Sequence, residues 1–190
     1  MSSVVGVEAA SVFNRYYELI SNESDRGAVI LSGSILDEGL KELLQKRLLD
    51  STNKDDPLFN IYGPLGTFDS KIELSFRLGL IKGSIRNQLL KFKSIRNDFA
   101  HKIDSGSLSD NKNTSRLLEI LKDNPDMSFA FIDVIKKHKS IEGNFKCKHN
   151  ELLNLLGHRN TFNFLFASIC MLVNRIKLDI DKIEVFESEG

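Results

Sequence analysis

The chain has no tryptophan, only three prolines and two cysteines, and no net charge. Each scarcity excludes something. Two cysteines, Cys147 and Cys170, cannot staple a small secreted fold, so stability has to come from burial, and a reducing compartment suits the chain. Pro57, Pro64 and Pro125 all fall in turn-rich stretches, which leaves long segments free of helix breakers. Basic and acidic side chains balance at 26 each. That balance excludes a protein whose entire surface is a nucleic-acid or membrane ligand, while leaving room for local patches. The opening Met1-Ser2-Ser3-Val4-Val5-Gly6 has no basic leader followed by an apolar run, so no signal peptide is expected. The longest apolar-rich run, 162–173, contains Asn163 and is shorter than the roughly 20 residues of a membrane span. A cytoplasmic chain with no membrane partner is the expectation.

What is present is helical periodicity. The 190 residues, 41% of them apolar, are enough for one domain with a real core. Val12, Phe13, Tyr16, Leu19 and Ile20 recur at spacings of three and four, predicting a helix over 8–21. Ser24 then caps a second helix over 25–49, in which Gly33 and Ser34 interrupt a broad apolar face and suggest a close helix crossing. A polar loop follows over 50–62. A third helix starts at Thr67 or Ser70 and buries Phe68, Ile72, Leu74, Phe76 and Leu78, with Gly79 as its left-handed C′ residue. Ser84 is expected to cap a fourth helix, whose stripe is Ile85, Leu89, Phe92, Ile95 and Phe99. Shorter helices are expected over 114–122 and 129–137, with 139–148 ambiguous. A long, almost wholly apolar helix over 150–181, broken at Gly157, should be central. The sequence therefore predicts an all-α, single-domain bundle of six or seven helices over 1–183, with a frayed acidic tail over 184–190.

The densest reactive cluster is Arg96-Asn97-Asp98-Phe99-Ala100-His101, at the end of the fourth helix. Arg supplies fixed donors for phosphate and His titrates near neutrality, a pairing suited to acid–base cleavage of a phosphodiester. Five helical residues turn through about 500° and rise about 7.5 Å, so the two side chains lie about 140° apart. They can meet beside a groove or across a two-fold interface. Lys91, Lys93 and Lys102 flank them, with Lys82 and Arg86 further back. This is a local basic run, suited to phosphate or partner contact, in which Asp98 is the one acid. The structural alternative pairs Arg96 with Asp37, Glu38 or Glu42, and leaves His101 favouring a helix C-terminus through the dipole. Asn97 and Asp98 would then serve the helix end.

Other patterns carry less. Cys147, His149, His138, His158 and Cys170 fit no standard zinc spacing. Arg159-Asn160 heads the last helix, either as a cap or as a contact for the polar cluster. The lysines from Lys136 to Lys148 are too diffuse for a nucleic-acid footprint. Gly63-Pro64-Leu65-Gly66 lacks the Gly-Lys-Ser/Thr ending of a phosphate loop. There is no nucleophile elbow and no helix-turn-helix with a recognition face of its own. No metal and no cofactor are expected.

From Gly63-Pro64-Leu65-Gly66 through Gly79-Leu80-Ile81 to Arg96-Asn97-Asp98-Phe99-Ala100-His101, the chain resembles the mannitol operon repressor family. The resemblance spans about 29–101. It implies an all-helical, cytoplasmic bacterial protein tied to transcriptional control, acting through a homodimer or a regulatory protein partner rather than by direct DNA binding. The segment Arg96 to His101 alone is also similar to the motif of HEPN-domain proteins. That similarity implies a metal-independent endoribonuclease acting on RNA, with His101 as acid or base, Arg96 stabilising the phosphorane, and Asn97 and Asp98 in support. A helical interaction module whose polar cluster only fixes the fold is the third expectation.

Overall fold

The computed structural model of the chain describes residues 2–101, 106–123, 132, 136 and 148–186. The helix expected over 129–137, the ambiguous 139–148, and the residues Lys102, His138 and Cys147 lie wholly or mostly outside the described residues. Six α-helices are present among them, with no strand: α1 (Ser2–Ser21), α2 (Asp25–Arg47), α3 (Phe68–Arg77), α4 (Gly83–His101), α5 (Asn111–Lys122) and α6 (His149–Asp179). The all-α bundle with a long central C-terminal helix is the observed architecture.

Local chemistry explains most of the boundaries. The Ser24 hydroxyl accepts from the Gly27 amide at 3.0 Å and opens α2. Thr67 and Ser70 form a reciprocal capping box that opens α3. Gly79, at φ 70°, closes α3 in a Schellman arrangement: its amide donates to Phe76 O and that of Leu80 to Ser75 O. Two starts differ from expectation. α4 begins at Gly83 rather than at a Ser84 cap, with the Ile85 and Arg86 amides both donating to Lys82 O at 3.0 Å. α5 begins earlier, at Asn111, because the Asp110 carboxylate accepts from the Asn113 amide at 2.8 Å.

The core gathers on α6, which packs against α1, α2 and α5, while α4 lies against α2, α3 and α5. All five expected stripe residues of α4 are buried. The unbroken buried run 161–170 of α6 makes that helix the core of the bundle despite a length and apolarity that could cross a membrane. Gly157, at φ 77° and ψ 158°, kinks α6 where a break was expected. Beside the kink, Arg159 reaches the α1–α2 turn. It bonds the Asp25 carboxylate at 2.8 Å and the carbonyls of Ile20 and Glu23. It is therefore an anchor of the fold, at a distance in chain from the Arg96 cluster.

The inward face of α3 is rotated from the one expected. Lys71, Ile72 and Ser75 are buried, whereas Phe76 is exposed and takes a cation–π contact from Arg86, 5.5 Å above its ring. The cause is a nonlocal ion pair. Lys71 Nζ lies 2.6 Å from Asp37 of α2, so a lysine can occupy the helix face that an apolar stripe would otherwise claim.

Candidate functional site

At Gly33, α4 packs close against α2. A Cβ added there would lie 2.7 Å from Cγ of Arg96, so the missing side chain is what lets the arginine stem lie across α2. Above that crossing opens a cleft of about 490 Å³. Gly33, Ser34 and Asp37 of α2 form one wall, Gly66 to Asp69 at the start of α3 a second, and Lys93, Arg96 and Asn97 of α4 the third.

The charges in this cleft are mostly satisfied. Asp37 is held by Lys71, and Asp69 by Lys93 at 2.7 Å. Glu38 pairs with Lys41 at 2.9 Å and Glu42 with Lys177. None of the three carboxylates considered as partners for Arg96 takes that role. The guanidinium instead donates to Asn97 Oδ1 at 3.1 Å, and among the described residues it has no acidic partner. Arg96 is thus an exposed, uncompensated cation on the wall of a polar cleft.

The other predicted site residues are distributed. His101 is exposed as the last residue of α4 and does not line the cleft. The helix is continuous between Arg96 and His101, so the expected divergence of about 140° holds within one copy. Asp98 faces away, toward α5, where it binds Arg116 at 2.6 Å and Lys112 at 3.4 Å. Burial pushes its carboxyl up, but the hydrogen bonds and charges of Arg116 and Lys112 outweigh this and hold it below its ordinary value. Lys91 also serves the α4–α5 junction, through Asp123 at 3.0 Å and Glu119 at 3.5 Å. Arg86 is taken by Glu73. Lys91, Lys93 and Arg86 of the basic run are thus paired with acids distant in sequence, whereas Arg96, the one of them that lines the cleft beside Lys93, has no acidic partner among the described residues.

Sequence reasoning did not assign Ser34, Thr67, Phe68 or Asp69 to this site. The signal was the small pair Gly33-Ser34 in an otherwise bulky helix, which marked the crossing but not the cleft beside it. Among the described residues no three His, Cys, Asp or Glu side chains converge as a metal cluster would require. Cys170 is buried in the core, which pushes its thiol up and makes it inert. His158 instead bonds Thr114 of α5 at 2.9 Å.

No family model matches the sequence, and no curated protein sequence matches it. Among solved structures the chain is similar to a chain of the MtlR–HPr complex from Escherichia coli, determined by X-ray crystallography. The TM-score is 0.56 at 16% identity, and the match covers 86% of this chain and 98% of that one. At that identity the likeness establishes an MtlR-like fold and nothing finer.

Proposed function

We propose that this chain is a non-enzymatic, mannitol-repressor-like regulator that works by binding a protein partner. The observation that supports this most is the fold likeness, which runs over nearly the whole of both chains and whose solved neighbour is a complex with HPr. The cleft agrees with it. Arg96 and His101 diverge within one copy, so a single chain does not present them together to a phosphodiester. One uncompensated guanidinium is instead what a surface needs to fix the register of a partner.

The test is isothermal titration of the purified chain with the HPr of the same organism. Saturable 1:1 binding is the expected outcome, and its absence removes HPr as the partner. A second reading, a dimeric HEPN-type ribonuclease, is favoured by one observation: Arg96 and His101 are both exposed on α4, where a second copy could bring two pairs together. Metal-free cleavage of single-stranded RNA, abolished in His101→Ala at an unchanged thermal midpoint, would establish that reading and displace the regulator.

A further inference from the structure

Beside the cleft stands a turn that the regulator reading has not used. Residues 56–66 fold back on themselves: the Asp56 carboxylate accepts from the Leu58 amide at 3.0 Å, Gly63 N donates to Asn60 O at 2.7 Å, and Leu65 N donates to Leu58 O at 2.8 Å. Leu65 is buried and anchors the turn in the protein. At the tip, Ile61 is 80% exposed and Tyr62 99% exposed. Leu58, in the same turn, is also exposed.

Isolated exposed apolar residues are ordinary. Here three large ones fall within five positions, on a backbone that its own hydrogen bonds hold in place. A rigid turn loses little freedom on binding, and a tyrosine with an aliphatic neighbour is a common centre of binding energy. The tip is also continuous with the cleft. A Cβ on Gly66, a cleft residue, would lie 2.4 Å from Asn60 O and 2.8 Å from Ile61 O, so the turn's backbone forms the back of that wall.

We infer that Ile61 and Tyr62, together with Arg96, form the docking surface for the protein partner: the tip enters an apolar pocket of the partner, and a carboxylate of the partner seats on the Arg96 guanidinium. The inference rests on the protein-partner reading above. Its charge requirement follows from the cleft, where Asp37, Asp69 and Lys93 are already paired and Arg96 is the lining cation without an acidic partner among the described residues.

The experiment titrates HPr into the wild-type chain, into the double variant Ile61→Ser/Tyr62→Ser, and into Arg96→Gln and Arg96→Lys. Thermal midpoints are recorded for all four. Because the tip residues are solvent-exposed, the midpoint of the double variant should not fall. Its affinity should drop about 30-fold or more, the loss that truncating a binding centre produces. Arg96→Gln should weaken binding about tenfold, Arg96→Lys less, and added salt should narrow the gap between Arg96→Gln and wild type. If wild type binds and the double variant binds equally well, the inference is overturned while the partner reading survives. If wild type does not bind HPr, the partner reading falls and this inference falls with it. If the double variant alters only the monomer–dimer balance in sedimentation, the tip joins copies of this chain and the inference is likewise overturned.

Discussion

At the scale of single residues, charge pairing decides most of what the polar cluster does. Asp98 stands beside Arg96 and Asn97 in sequence yet belongs to a different junction, because successive helical positions point about 100° apart. Its pairing with Arg116 and Lys112 has a pH signature. The folded carboxyl titrates below its unfolded value, so its contribution is complete above the ordinary aspartate range, about pH 4, and is lost as pH falls through the lower folded value. Asp98→Asn should therefore cost about 1–2 kcal/mol at neutral pH, the net worth of charged hydrogen bonds. The difference from wild type should shrink in melts run below about pH 3. A difference unchanged from pH 7 to pH 2 would place the role of Asp98 outside its charge. None of this pairing was legible in the sequence, where Asp98 and its partners are 14 and 18 positions apart.

At the scale of elements, periodic and punctuating residues were legible and faces set by distant partners were not. The α4 stripe, the Ser24 cap, the Gly79 terminus and the Gly157 break all follow from local rules, and all appear. The face of α3 does not, because Lys71 is buried only by virtue of Asp37 on another helix. The site was legible to the same extent. Arg96 could be singled out by its chemistry, but its freedom from Asp37, Glu38 and Glu42 depends on which lysines those acids meet in space. The kink in α6 makes the sharpest prediction at this scale. Gly157 adopts a φ, ψ pair that L side chains rarely take, so Gly157→Ala should cost about 1–3 kcal/mol in urea unfolding, with the slope of the transition unchanged. A neutral substitution would mean that α6 straightens without loss.

At the scale of the whole molecule, α6 holds together parts of the chain that are far apart in sequence. Arg159 grips the α1–α2 turn, Lys177 pairs with Glu42, and the segment after α6 runs along the end of α2. There the Ile183 amide donates to Arg47 O, Arg47 Nη1 donates to Asp181 O at 2.8 Å, and Lys182 pairs with Asp50. The resemblance of about 29–101 to a known family and the fold likeness over 86% of the chain are both joined to this arrangement through α2. α6 lies outside the stretch that carried the resemblance, yet it is the central helix of this fold.

That clasp gives the protein a natural dividing line. The exposed stretch 50–55 joins α2 to the turn before α3, and α2 is held independently by α6 and its extension. A break at 54–55 is therefore expected to be tolerated. Two separately encoded fragments, 1–54 and 55–190, should assemble when co-expressed, co-purify through a tag on either one, and give the helical circular dichroism of the intact chain. Reconstitution of this kind would show that burial and the ion pairs between the two pieces suffice to rebuild the bundle without the peptide bond that joins them.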